Sequence, residues 1–440
     1  METAAMKQII GICRETRAPR EKRTALPPDL VGKLVFEDHI KVIVQPSPNR
    51  IFTDDAYRSV GARISEDLSS CNIIFGIKEI EQQHLIPGKT YCFFSHTIKG
   101  QKYNMPMLRH ILDNKINLLD YELVTNEAGK RQVFFGDFAG YAGMINTLWA
   151  YGQRTAWEGF KTPFADLLQS RDYHSLTAAR EAITRVGHLI AARGLPPELG
   201  PVIIGVTGKG QVARGALDIA RLLPVKEVSV EEILRLRESG DYDPKAVYLC
   251  QLLRKDQVEP KGGGEFDRQD YARNPGDYQS KLWRLAPHLS MLVNGIYWDP
   301  RFPILYGKAH IKAQFEAGNP FHLKVIGDIT CDIEGSIEMT LRGSTSLDPL
   351  YVYDPLQEAI SDGFAGPGVV MMTVDKLPGE LPVEASRFFG NSLLPYLPDL
   401  AAADFSAPQA DLKLHPDFSK AIIAYQGKLT PNFQHLADKL

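Results

Sequence analysis

Three stretches of the chain place ionisable side chains directly behind apolar runs. Asn72-Ile73-Ile74-Phe75-Gly76-Ile77 is followed by Lys78 and Glu79. Thr90-Tyr91-Cys92-Phe93-Phe94-Ser95 is followed by His96, with Lys99 close behind. Ile116–Tyr121 ends at Glu122, and Arg131 comes after the short loop Thr125–Lys130. Each run reads as a buried parallel strand, and chemistry in parallel sheets collects at the carboxyl ends of strands. If the first two strands are neighbours, Lys78 and His96 face one crevice. A lysine made less basic by a nearby cation, with a histidine near neutrality, is a workable acid–base pair. On spacing alone a plainer reading stays open, with Lys78 closing a strand and His96 bonding backbone. Glu122 suits a substrate ammonium and Arg131 a carboxylate, unless the two are a surface hairpin pair. The charged run Arg14–Arg23 follows the first strand and reads as a solvated loop, in the right place for an anion clamp.

A second kind of chemistry is written in Val202-Ile203-Ile204-Gly205-Val206-Thr207-Gly208-Lys209-Gly210-Gln211-Val212-Ala213. The pattern G-x-G-x-x-A at Gly208, Gly210 and Ala213 is weak alone. Here it follows an apolar strand and opens a helix with Val212, Ala216 and Ile219 on one face, the context of a dinucleotide turn. Gly208 permits the tight turn, and Gly210 lets backbone approach a pyrophosphate at the helix amino terminus. Ala213 lets helix and strand pack closely. An acid that holds the ribose is expected about 20 residues on, at the end of the next strand. Glu231, behind Lys226–Val230, is the candidate, and no arginine obviously replaces it. The motif leaves NAD and NADP open.

The elements that must position these residues form two series. Strands at Gln8–Cys13, His39–Gln45, Asn72–Ile77, Thr90–Ser95 and Ile116–Tyr121 alternate with helices at Pro28–Val35, Thr53–Val60 (capped by Thr53) and Tyr103–Asp113. Helices Ala139–Ala156 and Ser175–Arg193 follow. A second series has strands at Val202–Val206, Lys226–Val230, Ala246–Leu252, Met291–Tyr297, Leu323–Ile329 and Gly368–Val374, and helices at Gly210–Leu223 and Val383–Tyr396. Lys261–Gly264 reads as an exposed loop in an insertion near 231–290, and the Pro- and Asp-rich final segment as wrapping the surface. The layout predicts an α/β protein of two doubly wound parallel-sheet domains with an interdomain cleft. One is residues 1–140 plus about 375–440, the other about 141–374.

The length of 440 residues allows two or three domains at about 150 residues each. The net charge of −3 argues against non-specific nucleic-acid or anionic-membrane binding. No apolar run is long enough to span a membrane, and no secretory signal is visible. Five unpaired-looking cysteines fit buried thiols in a reducing compartment, and no zinc motif is present. The expected setting is the cytoplasm.

These residues also carry a resemblance. Arg14-Glu15, Glu21–Pro28, Phe75–Glu79 and Phe94–Lys99 resemble the alanine dehydrogenase and saccharopine dehydrogenase superfamily. Leu119–Glu122, Gly136, Ala139–Asn146, Thr207–Ala216, Asn294–Trp298, Gly327–Glu338 and Leu377–Ser386 resemble, more narrowly, the lysine–ketoglutarate reductases. These are L-lysine-forming saccharopine dehydrogenases. The resemblance implies two Rossmann-like domains and a reversible reaction. The ε-amine of L-lysine condenses with 2-oxoglutarate, and a nicotinamide hydride reduces the imine to saccharopine. It implies acid–base roles for Lys78 and His96, and carboxylate contacts for Arg23, Arg131 and Lys99. Glu79 and Glu122 become charge-balancing acids, and Asp332 an acid close to the site. The cofactor set it implies is Thr207, Gly208, Gly210, Gln211, Val212, Ala213 and Glu231, with Asn294, Gly295, Ile296, Tyr297, Leu377 and Pro378. The longer region after Val230 is similar to that of animal and plant reductases, which implies NADP ahead of NAD, and no metal is required.

In animals and plants such a reductase is fused to a second dehydrogenase. An end near Leu440 therefore reads as a stand-alone form or an isolated domain, served by a separate saccharopine-oxidising dehydrogenase. A homo-oligomer is compatible with the sequence, and neither nucleic acid nor membrane is expected as a partner. An alanine dehydrogenase-like amino-acid dehydrogenase shares the Lys/His pair, but Glu122, Arg131 and Asn294–Trp298 fit the saccharopine pattern better. A non-catalytic dinucleotide-binding protein would keep Gly208 and Gly210 without needing Lys78 or His96.

Overall fold

The computed structural model describes residues 9–16, 21–318 and 320–440. Gln8 of the first expected strand and residues 17–20 of the charged loop lie outside them. The chain divides into two compact units, Met1–Phe135 with Pro382–Leu440, and Gly136–Leu381.

The first unit is built on β1 (Ile9–Ile12), β2 (Lys41–Val44), β3 (Arg63–Ile64), β4 (Ile73–Phe75), β5 (Thr90–Phe93) and β6 (Asn117–Asp120). They are parallel, in the order β6-β5-β4-β1-β2-β3. The winding reverses between β1 and β4, and ligands collect at the carboxyl ends beside such a switch point. The central strands carry apolar side chains on both faces because helices cover both; Ile73, Ile74 and Phe75 are fully buried. Helix α1 (Pro28–Phe36) starts on proline, whose missing N–H costs nothing in a first turn, and buries Leu30, Val31 and Leu34. Helix α2 (Asp54–Ser59) is capped by Thr53, whose Oγ1 accepts the Ala56 N–H at 3.2 Å. Helix α3 is Met105–Asp113.

The carboxyl-terminal segment does more than wrap the surface. Ile422–Tyr425 is a fully buried strand that pairs antiparallel with β6, and Lys428–Leu429 turns back on it. The four apolar residues cover a ladder edge that β6 would otherwise expose. The helix Pro382–Leu393 also joins this unit, burying Phe389 and Leu393.

The second unit begins with α4 (Gly136–Trp157) and α5 (Leu176–Arg193), the latter capped by Ser175. Then come β7 (Ile203–Thr207), α6 (Gln211–Ala220), β8 (Val225–Glu227), α7 (Val230–Ser239), β9 (Val247–Leu252), β10 (Val258–Pro260), β11 (Tyr278–Ser280), β12 (Met291–Asn294), β13 (Val325–Asp328), β14 (Leu350–Asp354), β15 (Ala359–Asp362) and β16 (Val369–Met372). The main sheet runs β15-β14-β16-β13-β12-β7-β9-β8. Helices α4 and α6 touch backbone to backbone: a Cβ on Gly140 would lie 2.1 Å from Val212 O.

Three features differ from the sequence reading. The strand expected over 226–230 stops at Glu227, because Ser229 and Glu232 form a capping box that starts α7. The antiparallel hairpin of β14 and β15 adds an unforeseen edge. The expected insertion near 231–290 holds α7 and β9, which belong to the main layers. The added part begins after β9, with the helix Arg254–Gln257 and the small β10–β11 sheet. All five cysteines are free, and four are buried. Among the described residues no helix is long and apolar enough to cross a membrane.

Candidate active site

In the first unit β4 and β5 lie side by side, Phe75 opposite Cys92. The segments that leave them are stitched together. The Gly76 N–H donates to Cys92 O and the Phe94 N–H to Ile77 O, both at 3.0 Å. Lys78, Glu79 and His96 thus emerge from neighbouring carboxyl ends. His96 Nδ1 lies 2.7 Å from Glu79 Oε1. A neutral ring that donates Nδ1–H to this carboxylate presents Nε2 as its proton acceptor. Burial pushes Glu79 up, but the His96 hydrogen bond, its own backbone, the His96 charge and Asn104 outweigh that and hold it at about 2.

His96 has φ 48°, in the left-handed region that non-glycine residues seldom occupy. Such strain persists where the surroundings over-determine it, and here they do. The buried Asp120 accepts the Ser95 N–H at 2.9 Å and the Ser95 hydroxyl, and its other oxygen accepts the Glu122 N–H at 2.8 Å. Asn104 Nδ2 donates to Ser95 O at 2.9 Å, His96 O at 3.3 Å and Glu79 Oε1 at 3.3 Å. Phe94 stacks on the His96 ring at 6.4 Å and carries Arg131 at 5.8 Å.

Lys78 is held from its backbone. Glu15 accepts the N–H groups of Ile77 at 2.6 Å and Lys78 at 2.9 Å. Burial, then the charge of Glu21, pushes the Glu15 carboxyl up to about 7. Glu21 would also be raised by burial, but the charge and hydrogen bonds of Arg23, with the charge of Lys78, bring it to about 2. Arg23 donates from Nε and Nη2 to the two Glu21 oxygens, both at 2.7 Å, and lies 4.3 Å from the Phe135 ring. Both partners of this pair are buried. The sequence reading gave Arg23 to a substrate carboxylate. The structure commits two of its donor nitrogens to Glu21, because the chain turns back on itself within two residues.

Lys99 is exposed, and its carbonyl accepts from Lys439 Nζ at 3.1 Å. Glu122 sits in the turn Tyr121–Leu123. Asp332 lies in the second unit, beyond β13, where its carbonyl accepts the Gly335 N–H at 3.0 Å. Glu15, Asn104 and Asp120 escape the sequence reading. Glu15 and Asp120 left a signal there only inside named segments, Glu15 in Arg14-Glu15 and Asp120 in Leu119–Glu122.

The glycine turn is formed in the second unit. Gly208 has φ 90°, and its N–H donates to Leu252 O at 2.9 Å. A Cβ on Gly210 would meet no atom within 4 Å, so the backbone there is open to a pyrophosphate. Gln211 and Val212 supply the first turn of α6, and Ala213 is fully buried. These features fit a dinucleotide. Thr207 Oγ1 donates to Asn294 Oδ1 at 2.8 Å and accepts the Gly295 N–H at 3.1 Å. Asn294 Nδ2 donates to Asp328 Oδ1 and Ser336 Oγ, both at 2.9 Å. Burial raises Asp328, with bonds from Thr330, Thr340 and Asn294 opposing it. This network ties the ends of β7, β12 and β13. Ile296 is buried, Tyr297 is exposed, and Leu377 and Pro378 belong to the turn Leu377–Glu380. Glu231 is exposed in the first turn of α7 instead of closing a strand.

Comparison with known proteins matches residues 11–142 to the alanine dehydrogenase/PNT N-terminal domain. Alpha-aminoadipic semialdehyde synthase of Arabidopsis thaliana is 38% identical over 444 residues, 97% of this chain and 41% of that protein. Saccharopine dehydrogenase (NAD(+), L-lysine-forming) of Emericella nidulans is 25% identical over 410 residues, 88% of this chain and 91% of that one. A solved L-alanine dehydrogenase shares the fold with a TM-score of 0.62 at 17% identity, over 98% of this chain and 100% of its own. The chain spans less than half the length of the Arabidopsis relative.

Proposed function

We propose that this chain, which belongs to the alanine dehydrogenase superfamily, is a lysine–ketoglutarate reductase. It condenses the ε-amine of L-lysine with 2-oxoglutarate and reduces the product to saccharopine, reversibly. The observation that carries this reading is the Lys78, Glu79 and His96 constellation at the carboxyl ends of β4 and β5. Adding an amine to a ketone and expelling water needs one proton acceptor and one donor near neutral pH. His96, oriented by Glu79, takes the proton released as the amine adds. His96 passes that proton to the alkoxide, and Lys78 gives a second one to the resulting hydroxyl, which leaves as water. Thr207–Ala213 and Asn294–Tyr297 would hold the nicotinamide nucleotide, NADPH ahead of NADH, whose chemistry when bound is hydride transfer.

Saccharopine carries three carboxylates. Arg131, Lys99 and the remaining Nη1 of Arg23 are the cations we assign to them. Glu122 adds an acid beside them, at the end of β6. We keep the cytoplasm as the setting, which the free thiols support.

Initial rates of NADPH and NADH oxidation with lysine plus 2-oxoglutarate test the reading. Turnover that requires both substrates is expected. Oxidation that needs pyruvate and ammonia instead would make the chain an alanine dehydrogenase-like enzyme.

A further inference from the structure

The second sheet contains an exchange of strands. In the usual dinucleotide fold, the strand after the glycine-turn helix lies next to the first strand, and its end reads the adenosine ribose. Here that strand is β8, and it does not touch β7. Strand β9 pairs with β7 from Ile203 opposite Tyr248 to Thr207 opposite Leu252, and β8 pairs only with β9. Composition explains the order. Val225-Lys226-Glu227 is partly exposed and suits an edge, whereas Val247–Leu252 is buried at all but Gln251 and suits the interior. The residues beside the glycine turn are therefore those that follow β9. Their position is pinned by the Gly208 N–H on Leu252 O and by Gln251 Nε2 donating to Gly208 O, each at 2.9 Å.

Those residues are Leu253, Arg254 and Lys255, so cations stand where an acid would accept a ribose diol. The acids nearby are engaged or displaced. Asp256 Oδ2 accepts the Leu253 N–H at 2.9 Å. Glu227 is paired with Arg221 at 2.8 Å, and Glu231 lies beyond β8, one strand further from the turn. Arg254 lies 5.7 Å from the Tyr271 ring and 5.8 Å from Phe302, and its Nη2 donates to Tyr297 O at 2.9 Å. Its Nη1 is buried and makes no protein hydrogen bond. Lys255 is exposed.

We propose that Arg254 and Lys255 bind the 2′-phosphate of an adenine dinucleotide and are the residues that select NADP(H) over NAD(H). This deepens the proposed function and rests on it for the nucleotide's presence. Arg254 is half-buried, and leaving its buried Nη1 without an acceptor is costly; a phosphate oxygen satisfies it with a charge-assisted bond. The exposed ammonium adds attraction that salt weakens.

The test measures dissociation constants of 2′,5′-ADP and 5′-AMP by calorimetry on the full chain, without lysine or 2-oxoglutarate. Tighter binding of 2′,5′-ADP is expected. Lys255→Glu, at an exposed position, and Arg254→Gln should each weaken it by about 10- to 100-fold while leaving 5′-AMP unchanged. Equal affinity of the two probes for the unmodified chain overturns the proposal, as does equal loss of both in Lys255→Glu. A chain that discriminates the probes as expected but does not turn over lysine with 2-oxoglutarate defeats the reductase reading alone.

Discussion

Glu15 offers a direct test of the electrostatics around Lys78. Its carboxylate accepts two backbone N–H groups, of Ile77 and Lys78. Burial and the charge of Glu21 raise it from 4.5 to about 7. The sign follows from proton binding. Between those two values the folded chain keeps a proton that the unfolded chain has lost, so stability falls as pH rises. Well below 4.5 the residue is protonated in both states and costs nothing; above 7 the whole cost is present. At about 1.4 kcal/mol per tenfold change in proton activity, the interval is worth about 3 kcal/mol. Glu15 is half-buried, and screening leaves about 2 kcal/mol. Glu15→Gln keeps an acceptor oxygen and removes the ionisation. Urea unfolding of both chains at pH 5, 6, 7 and 8 is the assay. The variant should lose one hydrogen bond's worth of stability at every pH and should gain about 2 kcal/mol on the unmodified chain between pH 5 and pH 8. A difference between the two chains that stays constant with pH would refute the argument.

Three further outcomes follow from the geometry. Lys78→Met should reduce kcat by about 10²- to 10⁴-fold, with nucleotide binding, followed by nicotinamide fluorescence, unchanged; retained turnover would remove Lys78 from the chemistry. Asp120→Ala strands the Ser95 N–H, the Ser95 hydroxyl and the Glu122 N–H. It should cost about 2–4 kcal/mol in unfolding experiments and lower kcat more than it raises KM, because the His96 segment loses its support. Gly210→Val places a side chain in open space. Its melting temperature should not move, but nucleotide affinity should fall at least tenfold, about 1.4 kcal/mol, and an unaltered dissociation constant would place the pyrophosphate elsewhere.

What could be read beforehand, and what could not, divides along physical lines. Apolar runs announce buried strands, so the segments around β4, β5 and β7 were legible, and with them the strand ends that carry Lys78, His96 and Gly208. Side-chain partners were not. Arg23 has the right type for a substrate carboxylate, but a turn that no periodicity reports folds it onto Glu21. Asn104 opens a helix that was expected, yet its amide spans Ser95, His96 and Glu79 only once the chain has folded. Spatial strand order is the deeper limit. A βα alternation lists strands in sequence, and the habit of placing the second beside the first points to Glu231. The polarity of Lys226 and Glu227 against the apolar Val247–Leu252 already argued for the reverse, since an interior position must bury both faces. Weighing strands by how fully they can be buried, before assigning their neighbours, moves the ribose-reading position from an acid to Arg254 and Lys255. That single exchange sets cations where an acid was expected, which is the chemistry the proposed preference for NADP(H) requires.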